Sequence, residues 1–177
     1  MVLRDESSRS SQQLERLDAL FGAHYERVAR VIGRVVRDQA RAEELAVEVF
    51  VKWQRNPKAH GEQAEGWLYR TAVREAIDEW RRQGRRERFE RFFSSLRGSP
   101  PTPQELYEAD AAQRNVRTVL AAIDERQAQV LLLWAEEMSY REIATVAEVN
   151  FTSVGSLLSR AQTAFRKEYE RRYGTKR

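Results

Sequence analysis

The sequence contains no cysteine, which excludes disulfides, thiolate metal sites and a thiol nucleophile together. Histidine is nearly as scarce. His24 falls at a helical position beside Tyr25, and His60 lies in a polar stretch; isolated histidines of this kind are satisfied or solvated far more often than they are metal-bound. No metal and no cofactor is expected. The longest apolar run covers residues 130 to 135, far short of the roughly 20 residues a membrane helix needs. The chain opens on charges and serines rather than a targeting segment, so no membrane insertion and a cytoplasmic location are expected. A Gly-rich phosphate loop is missing, as is a histidine paired with an acidic motif at ligand spacing, which argues against an enzyme. Proline is rare too, and three of the four, Pro100, Pro101 and Pro103, sit within four residues of one another.

What is present suffices for folded domains. Hydrophobic residues make up 41% of the 177 and aromatics 10%, enough to build cores in one large or two small domains. A third of the residues are charged and the net charge is only +4, but the basic residues are mostly arginine and unevenly placed. Their placement carries more than their sum.

Residues 1 to 13 have no apolar period and read as a disordered tail. From Leu14 apolar positions follow the helical period to Val36, giving one long amphipathic helix. Asp38 is placed to cap a second helix whose buried stripe is Ala42, Leu45, Ala46, Val49, Phe50 and Trp53. Asn56 before Pro57 stops it. A polar loop leads to a third helix starting near Glu65, with Leu68, Ala72, Ala76 and Trp80 as its inward stripe.

Another face of that helix carries Trp67, Arg70, Thr71, Arg74 and Arg81, and further arginines, including Arg82, Arg88 and Arg91, extend its end. Cations for phosphates beside a flat ring for an unpaired base are what single-stranded nucleic acid requires. The pattern equally fits a core tryptophan, with arginines complementing the helix macrodipole.

The proline cluster marks a linker, 93 to 112, between domains at 14 to 92 and 113 to 173, with a short tail at 174 to 177. The expected class is therefore all-α: two small helical domains joined by a flexible, proline-rich linker. In the second domain Asp124 with Gln127 caps a helix whose apolar run, 130 to 134, forms the centre of the second core. Ser139 and Glu142 then form a capping-box pattern before a two-turn helix, which breaks at 148 to 150. A longer helix follows from Thr152, with Val154, Leu158, Ala161 and Phe165 inward and Ser153, Ser156, Ser159, Arg160, Thr163 and Lys167 outward. This is the layout of a helix-turn-helix with its second helix in a DNA major groove, and also of an ordinary helical hairpin.

Taken together, the fragments Ala42-Glu43-Glu44-Leu45-Ala46-Val47-Glu48-Val49-Phe50, Trp67-Leu68-Tyr69-Arg70-Thr71-Ala72, Asp124-Glu125-Arg126-Gln127 and Ser139-Tyr140-Arg141-Glu142-Ile143-Ala144 resemble the extracytoplasmic-function sigma factors of bacterial RNA polymerase. The resemblance spans about residues 14 to 173. It implies a sigma region 2-like domain, then a region 4-like helix-turn-helix domain. It also implies a factor that binds core RNA polymerase and promoter DNA and is commonly held by an anti-sigma factor. By the same resemblance Glu43, Glu44, Val47, Glu48 and Phe50 contact the polymerase. Asn56, Lys58, His60, Trp67, Arg70, Thr71, Arg74, Arg81 and Arg82 melt and hold the minus-ten strand. Thr152, Ser153, Ser156, Ser159, Arg160, Thr163 and Lys167 read the minus-thirty-five element. The other class of reading is a helix-turn-helix regulator acting without polymerase.

The chain departs from the family pattern at three places. Val47 stands where most relatives have glutamine, and Gly155 and Leu157 replace two cations at the start of the reading helix. Glu148 replaces a glycine common in the turn, where a left-handed conformation costs a side-chain-bearing residue roughly 1 kcal/mol.

Overall fold

The structure, a computed structural model, describes residues 2 to 96 and 108 to 174, with side chains described from 12 to 86 and 111 to 174. Pro100, Pro101 and Pro103 and the side chains of Arg88 and Arg91 lie outside the described residues. Among the described residues the chain is all α-helix with short 3-10 turns and no strand.

Helix α1 spans Val2–Gly33 and so takes in residues expected to be a tail. Neither glycine nor proline occurs between residues 2 and 21, so nothing in the backbone stops the helix from propagating. Its other end is earlier than the apolar pattern indicates: Val35 and Val36 are buried but lie in the turn after Gly33. Helix α2, Gln39–Gln54, is capped by Asp38, which accepts from the Arg41 backbone N–H as expected. Helix α3, Ala64–Leu96, runs into the stretch assigned to the linker. These three helices pack on Val28, Ile32, Leu45, Val49, Trp53, Leu68, Tyr69 and Ala72, all of them essentially inaccessible.

The second unit comprises α4, Glu108–Leu120; α5, Glu125–Ala135; α6, Tyr140–Ala147; and α7, Val154–Tyr173. Asp124 caps α5 by accepting from the Arg126 and Gln127 N–H groups. Val119, Val130, Leu133, Ile143, Val154 and Leu158 form its interior. Trp134, placed by the apolar run at the centre of that core, is instead half exposed. A helix of eleven residues offers only one stripe to a single layer of neighbours, and Trp134 points off that stripe.

The buried side chains of both units form one continuous apolar cluster, because α3 lies directly against α5 and α6. The two domains thus share an interface, which covers part of the α3 face.

Candidate nucleic-acid interface

The helix-turn-helix is built as its caps dictate. The Glu142 N–H donates to Ser139 Oγ while the Ser139 N–H donates to Glu142 Oε2, at 3.3 and 2.7 Å, closing the capping box. Ile143, Ala144, Val146 and Ala147 turn inward. At the C-terminus Glu148 adopts φ 52° and ψ 49°, a left-handed cap that glycine usually supplies. The Val149 N–H then donates to Ala144 O at 3.0 Å. Asn150 caps the following 3-10 turn, Phe151–Ser153, by accepting from the Thr152 N–H.

Helix α7 buries Val154, Leu158 and Ala161. Its outer side presents Ser156, Ser159, Arg160, Thr163 and Lys167 with Thr152 just before it, all exposed, and Ser153 half-buried. In the free protein the hydroxyls of Ser156 and Thr163 donate to the carbonyls of Ser153 and Ser159, bonds that a stronger acceptor displaces at little cost. Apart from Ser153, these residues share one exposed side of the helix. A Cβ at Gly155 would meet only Tyr140 Cε2, at 3.9 Å, so packing does not demand the missing side chain.

The α3 face is brought together, yet it is not open. Trp67 is half-buried against the shared core, and Thr71 is only 8% exposed. Arg70 donates to Val146 O at 2.8 Å and pairs with Glu148 at 2.9 Å. Arg74 pairs with Glu125 at 3.1 Å, and Arg81 donates to Ala121 O at 2.7 Å. Arg82 pairs with Glu79 within its own helix. Arg70, Arg74 and Arg81 do more than neutralise a helix end: they bind the other domain, because the ends of α4, α5 and α6 direct carboxylates and terminal carbonyls at them.

In the loop before α3, Lys58 is exposed and Asn56 half-buried. His60 turns inward, its Nε2 2.9 Å from Trp53 O and its ring 4.3 Å from the Trp53 ring. It packs as a satisfied histidine.

On α2, Glu43, Glu44 and Val47 are exposed and Glu48 is half-buried. Arg41 ties Glu44, Glu48 and Glu79 together, and these carboxylates, with Glu79 first, raise the Arg41 guanidinium above its ordinary value. Phe50 does not belong to this surface. It is 2% exposed and packs against Phe21 at a ring separation of 4.9 Å, so its expected contact with a partner is corrected to a core role. Val51 and Phe21 are the exposed apolar groups there that the sequence reading missed. Their positions i+4 and across the helix pair carried that signal only once α1 and α2 were docked.

Also missed were the ion pairs between domains. Arg30 and Arg34 both bind Glu136, and Arg27 binds Glu142 at 2.6 Å. The Ser139 hydroxyl first, and then Arg27, hold the Glu142 carboxyl below its usual range. Burial pushes the neighbouring Tyr69 phenol up. Among the described residues no cluster of His, Asp or Glu is disposed to hold a metal ion, and no helix is long and apolar enough to cross a membrane.

Residues 20–86 match the family described as Sigma-70 region 2, and residues 113–163 match Sigma-70, region 4. The first match carries α2 and the basic face of α3; the second carries α5 and the helix-turn-helix. The chain is also similar to a protein of Mycolicibacterium smegmatis named ECF RNA polymerase sigma factor SigE, with 28% identity over 153 residues, covering 84% of this chain and 60% of the relative.

Proposed function

Because the chain belongs to the extracytoplasmic-function group of the sigma-70 family, we propose that it binds core RNA polymerase in the cytoplasm and directs it to a subset of promoters. Family membership makes it a DNA-binding regulator of transcription initiation, not an enzyme. The observation that supports the finer reading is the presence on one chain of two dissimilar faces, one rich in hydroxyls with Arg160 and Lys167, the other a tryptophan among arginines. The outer side of α7 offers hydroxyls, Arg160 and Lys167 to a duplex groove. The α3 face offers Trp67 among Arg70, Arg74 and Arg81 to an unpaired strand.

In this mechanism α7 docks on the minus-thirty-five duplex while Glu43, Glu44, Val47 and Glu48 on α2 face the polymerase. The α3 face then receives the displaced minus-ten strand, whose unstacking costs a few kcal/mol that stacking and phosphate contacts offset. Asn56 and Lys58 border that strand. With Gly155 and Leu157 in place of cations, duplex reading relies on serine hydroxyls, backbone amides and Arg160. An anti-sigma factor as the restraining partner belongs to the same reading.

Transcription in vitro with core polymerase over a promoter library tests it. The expected result is initiation from a defined promoter class only when both proteins are present. Stable duplex binding by the chain alone, with no effect on core polymerase, would instead establish a regulator that acts without polymerase.

A further inference from the structure

We propose that the isolated chain restrains itself: the turn of the helix-turn-helix, through Glu148, clamps the α3 basic face and keeps a single strand off it. This rests on the assignment of that face to the displaced strand. The closeness of the two elements is set by backbone. A Cβ on Gly66 would lie 3.1 Å from Arg70 Nη1, 3.2 Å from Thr145 O and 3.5 Å from Val146 Cα, so the start of α3 abuts the end of α6 with only the Arg70 guanidinium beside them. One turn later Arg70 meets both the carbonyl of Val146 and the carboxylate of Glu148.

Glu148 is the informative residue. It occupies a left-handed cap at φ 52°, where glycine would be unstrained, and its side chain is what reaches Arg70. A strained residue that spends its side chain on another domain has a use that glycine could not serve. The same exchange recurs along the face, where Glu125 takes Arg74 and Ala121 O takes Arg81. Carboxylates and helix-end carbonyls therefore stand where strand phosphates would, on the same guanidinium donors. Arg70 cannot serve both, so closure and strand binding compete. Beyond the face, the pairs of Glu136 with Arg30 and Arg34, and of Glu142 with Arg27, hold α1 to the same domain.

The absence of cysteine permits a direct test on the full chain. Spin labels on Ala40→Cys and Gln162→Cys, both at exposed positions of α2 and α7, report the distance between domains. In parallel, a fluorescent single-stranded oligonucleotide of mixed sequence reports strand binding at low and high salt. The unsubstituted background is expected to give one narrow distance. Glu148→Gly relieves the turn and Glu148→Lys keeps its strain, yet both remove the carboxylate. Both should broaden and lengthen the distance distribution and tighten strand binding about two- to fivefold, the range an ion pair of this exposure carries.

An effect acting only through the turn would change Glu148→Gly alone and leave Glu148→Lys like the unsubstituted background, and that result would overturn the clamp. So would a broad distribution in the unsubstituted background, or a narrow one unchanged in both variants. Opening without any gain in strand binding would leave the domain contact standing, but would overturn the occlusion and the assignment of the α3 face with it.

Discussion

Arg34 Nε lies 2.6 Å from Glu136 Oε1, and the Glu136 side chain is only 5% exposed although it closes a helix on the surface of the second domain. Arg30 takes the other oxygen at 3.2 Å, and Arg34 also donates to Ala135 O at 2.9 Å. Arg30 of α1 and Arg34 just beyond its end thus cover one carboxylate 106 and 102 residues away. Both guanidiniums remain about half exposed, so water can take them when the carboxylate is lost. Glu136→Ala is expected to lower stability by about 1.5 to 3 kcal/mol, the range for a hydrogen bond to a charged group. Urea unfolding measures this, and a change near zero would show that the contact is spent on screening alone.

The α2 surface separates partner contact from folding. Phe50→Ala empties a packed site between α1 and α2 and is expected to cost about 3 to 5 kcal/mol of stability. Val47, 43% exposed, touches no core, so Val47→Glu should leave the melting temperature almost unchanged while weakening binding to core polymerase. Equilibrium binding with labelled polymerase, alongside thermal unfolding, distinguishes the two. Equal binding by Val47→Glu and by the natural chain would remove this face from the interface.

Two tryptophans of one helix should part company. Trp80 is 9% exposed with the Arg117 guanidinium 5.8 Å from its ring centre, and Trp80→Ala should damage folding by about 3 to 5 kcal/mol. Trp67→Ala removes a half-buried ring and should cost less stability, but it removes a stacking partner of about 1 to 3 kcal/mol per base. Permanganate footprinting should then show recruitment without opening. Arg160→Ala should do the opposite, weakening recruitment to duplex while sparing a pre-melted template. Normal melting by Trp67→Ala would return that residue to the core.

Acid should loosen the helix-turn-helix and its domain contact together. Glu142 faces the Ser139 hydroxyl and N–H and the Arg27 guanidinium, with Tyr69 nearby. Its carboxyl is held low in the folded protein, so the folded state favours the ionised form and gains stability above the ordinary carboxylate range. That gain is lost as pH falls through the depressed value. Glu142→Gln should flatten this part of the pH–stability profile; an unchanged profile would assign the acid sensitivity to other carboxylates.

Sequence alone determined the elements whose physics is local. Asp38, Asp124 and the Ser139–Glu142 box cap helices within three residues of themselves, and such signals need nothing from the rest of the chain. The 3.6-residue period likewise separated the inward stripe of α7 from its outward Ser156, Arg160 and Lys167. Period, however, says which residues share a face and not what covers it. Only the docking of α1 on α2 buried Phe50 and left Val51 at the surface, and only the layer around α5 left Trp134 in solvent. The extent of α1 followed from an absence of helix breakers that no apolar pattern marks. Above all, the partners of Arg34, Arg70, Arg74 and Arg81 lie 40 to 102 residues away in the chain. A charge on a helix face looks the same in sequence whether it meets a phosphate, water or a carboxylate of another domain, and tertiary packing alone made that choice.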